Sequence, residues 1–184
     1  MRLRVGIVLV LMVGCRAGFD PIGGGDDVPG DAPGDELVAT DGPLPDTMAI
    51  ACPAGYQQTA IAGSKYKAVD DSETWTGAQA ACLADGQHLV IFDDAVERSV
   101  VTMLLPGRDL WVGVSDRITL GTWTTVTGGA AVYLPWASGE PALDPLERCV
   151  EAESPGYALI EQSCSSGRRY ICECDGIASD PASY

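Results

Sequence analysis

The chain has 184 residues, of which 26 are acidic, 11 are lysine or arginine and one is histidine, so its formal net charge at pH 7 is −15. Binding to nucleic-acid phosphates is excluded, because the sequence has no basic cluster that could displace their counterions. An acidic surface instead suits neutral ligands, cations or basic partners.

Residues 1–14 are predicted to be a signal peptide. Two arginines precede an apolar run at residues 5–13, which is shorter than the roughly 20 residues needed to cross a bilayer. The end of this segment, Leu11-Met-Val-Gly-Cys15, resembles a bacterial lipobox. That resemblance implies a lipid on Cys15 and an anchor in the bacterial membrane, at the outer membrane or the cell surface. The alternative is an ordinary signal peptide followed by an incidental cysteine.

Residues 15–51 are rich in glycine, proline and aspartate and show no apolar period. Such a segment cannot bury enough apolar surface to offset the entropy of ordering it. We therefore expect a disordered, acidic linker between the lipid anchor and a folded domain.

The composition becomes globular from Cys52 onward, and the remaining length, about 120 residues, is enough for one domain with its own core. Six cysteines lie in this part of the chain. An even number in an exported protein predicts three disulfide bonds, which the sequence alone can pair in many ways. A metal or redox site is the alternative, although the chain has no Cys-x-x-Cys motif and only one histidine.

Hydrophobic periodicity predicts two helices among short strands. The first helix spans residues 72–84, and its apolar face comprises Trp75, Ala78 and Cys82. The second spans residues 93–105, and its apolar face comprises Val96, Val100, Met103 and Leu104. The predicted strands are residues 64–69, 88–92, 110–114, 122–125, 149–152, 157–160 and 169–173. This mixture predicts an α+β domain.

Several short motifs follow one another between residues 52 and 174. They are Cys52-Pro-x-Gly-Tyr56, Trp75…Ala78…Cys82, His88-Leu-Val-x-Phe92, Trp111-Val-Gly-Val114, Gly121-Thr-Trp123, Trp136…Glu140-Pro141, Glu147-x-Cys149, Cys164 and Tyr170-Ile-Cys172-Glu173. In this order they resemble the C-type lectin-like domain family. The resemblance implies an α+β fold over residues 52–174, with two helices, short antiparallel sheets and a long loop region pinned by disulfides. A short tail, residues 175–184, follows.

The resemblance also implies how the cysteines pair. The family pattern joins Cys82 to Cys172 and Cys149 to Cys164. The usual second cysteine of the N-terminal hairpin is missing, which leaves Cys52 to pair with Cys174 and to join the two ends of the domain.

Calcium-dependent sugar binding is the chemistry that the resemblance implies. Glu140, Glu147 and Glu161 match acidic ligands of the family's calcium ion, which makes calcium the candidate cofactor. The two asparagines that usually accompany them are replaced by Ala142 and Ile160. We therefore expect the calcium dependence to be degenerate or altered.

Simpler interpretations of these residues stay open. Glu140-Pro141 is also expected as a turn with a cis peptide, and Glu147, Glu151, Glu153 and Glu161 are consistent with solvated strand residues. The four tryptophans are expected in the core, except that Trp136, in the long loop, is a candidate for ligand contact. The sole histidine, His88, occupies a framework position that offers no nucleophilic triad, so we predict that the protein is not an enzyme.

The leading hypothesis is a ligand-binding module of a cell-envelope lipoprotein that binds carbohydrate with altered calcium dependence. The alternative is a calcium-independent module for protein interaction or adhesion on the same fold. The two hypotheses differ in one test. Replacing Glu140 and Glu147 by glutamine abolishes binding under the first and leaves it intact under the second.

Overall fold

The computed structural model describes residues 51–184. The predicted signal peptide, the predicted lipid site at Cys15 and the linker up to residue 50 lie outside the described residues, so the statements about them remain predictions. Within residues 51–184, none of the helices combines the length and the apolar character needed to cross a bilayer.

The described part of the chain contains two α-helices, eight strands and a terminal 3-10 helix. In chain order they are β1 (Gln57–Gln58), β2 (Lys65–Glu73), α1 (Trp75–Ala84), β3 (His88–Leu89), α2 (Ala95–Thr102), β4 (Leu110–Ser115), β5 (Thr124–Thr125), β6 (Cys149–Glu153), β7 (Ala158–Gln162), β8 (Arg168–Cys174) and the 3-10 helix (Pro181–Ser183). The α+β class predicted from periodicity is confirmed.

The strands join in one sheet rather than in separate antiparallel sheets. Its order is β1-β2-β8-β4-β6-β7, with β3 paired to β8 and β5 paired to β4. Strand β4 runs parallel to β8, whereas the other pairs are antiparallel. All six residues of β4 are buried, as expected for a central strand covered on both faces.

All three disulfide pairings implied by the resemblance are present. They are Cys52–Cys174, Cys82–Cys172 and Cys149–Cys164. The first bridge joins the start of the described domain to the end of β8, and the third closes the segment that carries β6 and β7. The end of the long loop region, where it enters β6 at Cys149, is therefore fixed covalently.

Helix α1 buries the face that its sequence predicts, although it begins three residues later. Trp75, Ala78 and Cys82 are fully buried. The chain stays in β2 as far as Glu73, and the Thr74 hydroxyl then caps the helix by accepting a hydrogen bond from the backbone N–H of Gly77 at 3.1 Å. This is the ordinary role of threonine at a helix start.

The predicted apolar face of α2 is correct only for Leu104, which packs against the core. Val96 and Met103 are 64% and 68% exposed, while Glu97 and Val101 are buried. A buried glutamate is tolerated here because the Tyr66 hydroxyl donates to its Oε1 at 2.5 Å and the backbone N–H of Asp93 donates to its Oε2 at 2.7 Å. The helix is therefore rotated by one position relative to the stripe that hydrophobicity alone selects.

The predicted tail, residues 175–184, contacts helix α1. Its Ser179 hydroxyl accepts a hydrogen bond from Gln79 Nε2 at 2.9 Å. The Tyr184 ring packs edge-on against Trp75, with 5.8 Å between the ring centroids. These contacts cover the first half of α1, from Trp75 to Gln79.

Candidate functional site

The long loop between β5 and β6 reaches the candidate site by running beside β7. The backbone N–H of Leu159 donates to Pro135 O at 3.0 Å, and that of Ala137 donates to Leu159 O at 2.8 Å. The chain then turns through Gly139, at φ +97°, into the cis peptide bond between Glu140 and Pro141 that the sequence predicts. Glu140 is thereby placed next to the end of β7.

Glu140 and Glu161 lie together in the folded domain. The Oε2 atom of Glu140 accepts hydrogen bonds from the backbone N–H groups of Ala142, at 3.3 Å, and Glu161, at 3.4 Å. In return, Glu161 reaches back to the loop, where its Oε2 accepts the backbone N–H of Leu143 at 2.6 Å. The two carboxylates therefore fasten the cis-proline turn to β7.

Leu143 explains why that fastening matters. Its φ is +57°, a left-handed conformation that costs a residue with a Cβ roughly 1 kcal/mol. A hydrogen bond to an ionised carboxylate contributes about 1.5–3 kcal/mol, so the bond from Leu143 to Glu161 is large enough to hold the strained turn.

Glu161 is only 3% exposed, which contradicts its interpretation as a solvated strand residue. Burial raises the pKa of Glu161, against the lowering effect of hydrogen bonds from the backbone of residues 142–144, while the nearby Glu140 carboxylate raises it further. Its second oxygen, Oε1, is buried without a hydrogen-bond partner within residues 51–184. A buried carboxylate oxygen of this kind usually has a proton, a water or another donor as its partner.

Glu147 is not grouped with these two carboxylates. Its side chain is half-buried, and its backbone N–H donates to Asp144 O at 3.0 Å. The next residue, Arg148, is held elsewhere, because its Nε donates to the buried carboxylate of Asp116 at 2.6 Å.

These residues do not fit the calcium ion that the resemblance implies. Calcium takes six to eight oxygen ligands. In residues 51–184, no three acidic, histidine or cysteine side chains are grouped so that they could hold a metal ion. Glu140 and Glu161 remain a pair, and each already accepts hydrogen bonds from the backbone.

Trp136, the aromatic candidate for ligand contact, is half-buried and packs against the core. Its ring meets Trp123 edge-on, with 4.9 Å between the centroids. The expectation that tryptophans lie in the core is confirmed most fully by Trp75 and Trp111, which are completely buried.

Two buried polar groups were not anticipated from the sequence. Glu151 lies in β6 with its carboxylate paired to Arg168, so its interpretation as a solvated residue is wrong. Desolvation raises the pKa of Glu151, and the guanidinium of Arg168 opposes this effect. Such a pair could be predicted only from the distance between the two charges across the sheet, and that distance is known only once the strand register is known.

The second group lies between β8 and α2. Burial, together with the neighbouring Glu97 carboxylate, raises the pKa of Glu173 to about 8, while its Oε2 accepts the backbone N–H of Ile91 at 3.1 Å. His88, predicted to pack near a strand start, is fully buried, and its Nε2 lies 3.1 Å from Asp175 Oδ1. Burial lowers the pKa of His88, but the hydrogen bond with Asp175 and the nearby carboxylates outweigh it, so the net shift is upward.

Comparisons with known proteins agree with this architecture. A family model described as the lectin C-type domain matches residues 71–174. The chain is 29% identical over 136 residues to a C-type lectin, a lectoxin of Thrasops jacksonii, in an alignment that covers 68% of this chain and 86% of the relative. It is also 34% identical over 114 residues to a tetranectin-like protein of Carcharhinus perezii, covering 59% of this chain and 69% of that protein.

A solved structure shows the same fold. The calcium-independent type II antifreeze protein superposes with a TM-score of 0.63 at 21% identity, covering 73% of this chain and 99% of that one.

Proposed function

The chain belongs to the C-type lectin domain family, and we propose that its domain binds carbohydrate through the long loop without needing calcium to hold that loop in place. The family is generally a carbohydrate-binding one rather than an enzymatic one. The observation that carries the proposal is the hydrogen bond from the Leu143 N–H to Glu161 at 2.6 Å. Glu161 thereby performs the structural role that a cation would otherwise have in the loop.

Glu140 and Glu147 are the residues that we assign to the ligand. Glu140 uses only its Oε2 for the backbone, and both side chains are half-buried rather than enclosed. An ionised carboxylate accepts hydrogen bonds and donates none. Its matching ligand group is therefore a donor, such as a hydroxyl of a neutral sugar. The calcium-independent type II antifreeze protein is an example of this fold without calcium dependence, and it supports the proposal in that respect.

The experiment combines a glycan array with melting curves of the purified, oxidised protein, each in calcium and in chelator. We expect the same glycans to bind in both conditions and the two melting curves to coincide. Glu140→Gln should weaken glycan binding without lowering the melting temperature by more than a few degrees. Glu161→Gln should loosen the loop and lower the melting temperature in both conditions, because Leu143 loses its charged acceptor.

Saturable calcium binding with a rise in melting temperature that Glu140→Gln removes would refute the calcium-independent part. Normal melting behaviour with no bound glycan would instead refute carbohydrate binding and leave the fold unaffected. Glu153→Gln is the matched control, since Glu153 is exposed and lies outside the loop.

Protein interaction is the second candidate, and exposed apolar side chains favour it. Ile118 and Leu146 are both largely exposed, on two segments that Asp116 and Arg148 join through their ion pair. Exposed apolar side chains on joined segments supply the kind of surface that interaction sites use. Replacing Ile118 and Leu146 together by serine should abolish binding to a protein partner and leave glycan binding unchanged.

We also propose that the protein is exported and anchored to the bacterial envelope by a lipid on Cys15. The support is the sequence of residues 1–15 alone. Metabolic labelling with a fatty acid tests it. The intact chain should become labelled and fractionate with membranes, whereas Cys15→Ala should lose both properties. An unlabelled, secreted intact chain would support the ordinary signal peptide.

A further inference from the structure

Arginines are concentrated in one pocket of this acidic protein. Of the 11 lysine and arginine residues, three precede residue 51, and three of the remaining eight line a single cavity of about 180 Å³. The cavity lies between the turn at residues 107–109, before β4, and residues 167–169 at the start of β8. Its basic side chains are Arg108, Arg168 and Arg169.

Arg168 forms the fixed wall of this pocket. Its Nε donates to the buried carboxylate of Glu151, and its NH1 group donates to Gly167 O at 2.9 Å. Its guanidinium carbon also lies 5.9 Å from the centroid of the Trp111 ring. These contacts hold the Arg168 side chain in place. Because Glu151 and Arg168 neutralise each other, this wall carries little net charge.

Arg108 and Arg169 converge on one point. Their Nε atoms lie 3.3 and 3.1 Å from the same oxygen, Oδ1 of Asp70. Asp70 is the one acidic side chain within residues 51–184 that pairs with either of them. Two positive charges thus share one carboxylate, and Asp70 is itself 55% exposed at the rim.

The fourth charged group of the lining, Asp109, is already engaged. Its Oδ1 accepts the backbone N–H of Ser154 at 2.9 Å, so it is oriented toward the chain at the end of β6. The remaining lining at Gly107 and Gly167 consists of backbone, which leaves room for a ligand beside the guanidinium groups.

We propose that this pocket is an anion site that binds a sulfate or phosphate group carried by a ligand. Guanidinium groups present planar arrays of N–H donors that match the oxygens of such anions. Arg108 and Arg169 already hold an anionic oxygen between them, and the exposed Asp70 can rotate away when a doubly charged group arrives. The site is separate from the cis-proline loop, so it does not depend on how that loop binds its own ligand.

Titration of the purified full chain with sodium sulfate and with sodium phosphate, at constant ionic strength against chloride, tests the proposal. NMR signals of the Arg108 and Arg169 Nε–H groups should shift saturably. Arg169→Gln should weaken sulfate binding about tenfold or more, because a charge-assisted donor is lost. Lys65→Gln, which removes the same charge outside the pocket, should leave the affinity nearly unchanged.

Asp70→Asn provides the sharper variant, because its effect has the opposite sign. It removes the competing carboxylate and should tighten sulfate binding several-fold, whereas Asp71→Asn, the same charge change at the next residue, should not. If Asp70→Asn and Asp71→Asn change the sulfate affinity equally, or if Arg169→Gln and Lys65→Gln do, the affinity depends only on the net charge of the protein. Either result would overturn the proposal. If the inorganic ions bind as expected, sulfated and phosphorylated saccharides titrated in parallel identify which ester the pocket prefers.

Discussion

Replacing Glu173 by glutamine should remove much of the pH dependence of this domain's stability. Glu173 is buried between β8 and helix α2, beside Glu97. The Tyr66 hydroxyl and the backbone N–H of Asp93 donate hydrogen bonds to Glu97. His88, which contacts Asp175, also lies near Glu173. Since burial and the Glu97 carboxylate disfavour a second negative charge, the folded state retains a proton at this position.

Whether stability rises or falls with pH depends on whether the folded or the unfolded state holds that proton. An unfolded glutamate titrates near pH 4.5, whereas the pKa of Glu173 in the folded domain is about 8. The stabilisation is fully present below the unfolded value and is lost as pH rises toward the folded value. One proton changes the unfolding free energy by at most about 1.4 kcal/mol per pH unit. We therefore expect a loss of roughly 1–3 kcal/mol between pH 5 and pH 8.

His88 acts in the same direction. Its pKa is also raised in the folded domain, so protonation of His88 stabilises the fold below its unfolded pKa of about 6.5 and ceases to do so as pH rises. Burial raises the pKa of Asp175, but the hydrogen bonds from His88 and from the backbone N–H of Ile177, together with the charge of His88, outweigh it, so the net shift is downward. The contribution of Asp175 changes only in more acidic solution, below the range of the experiment.

Urea unfolding with intact disulfides, followed by tryptophan fluorescence at several pH values, measures this effect. Glutamine imitates the protonated carboxyl group, so Glu173→Gln should lose less stability than the wild type between pH 5 and pH 8. Glu153→Gln is the control for net charge, because Glu153 is exposed. Parallel curves for the wild type and Glu173→Gln would refute the conclusion that the buried Glu173 carboxyl group retains its proton in the folded state.

Two further substitutions test the packing around the sheet, each by urea unfolding. Arg168→Gln should cost about 3 kcal/mol by leaving Glu151 buried without its ion-pair partner. Adding Glu151→Gln should restore part of the lost stability. A cost no larger than that of replacing an exposed arginine would contradict this. Gly113→Ala should cost at least about 2 kcal/mol, since its Cβ would lie 2.5 Å from Leu89 O, while Gly156→Ala, with open space around it, should be nearly neutral.

Much of the fold could be predicted because its signals are spread along the chain. The motif order implied all three disulfides, and it placed Trp75 and Trp111 in the core, where their indole N–H groups donate to the backbone at Val112 and Glu73. The single mixed sheet was less accessible. Its parallel pair joins β4 to β8, and strands separated by nearly sixty residues leave no local sequence signal of their relative direction.

Helix α2 shows where hydrophobic periodicity fails. Val96, Val100 and Met103 form one stripe, whereas Glu97, Val101 and the also predicted Leu104 form another at the same spacing, displaced by one residue. The choice between the stripes depends on Tyr66, which satisfies the buried carboxylate from 31 positions away. Such a contact can be seen only once the strands are placed.

The candidate site also depends on contacts that the sequence alone does not reveal, and here those contacts change the functional prediction. Glu140, Glu147 and Glu161 were predicted as one set because they match a family pattern, yet the fold uses Glu161 to hold the Leu143 turn and leaves Glu147 apart. A carboxylate that fixes the loop through a backbone N–H has one oxygen fewer to give to a cation. Its remaining buried oxygen still needs a donor. The fold therefore separates two roles that the family pattern combines: Glu161 holds the Leu143 turn, and we propose that Glu140 and Glu147 accept hydrogen bonds from hydroxyl groups of a ligand.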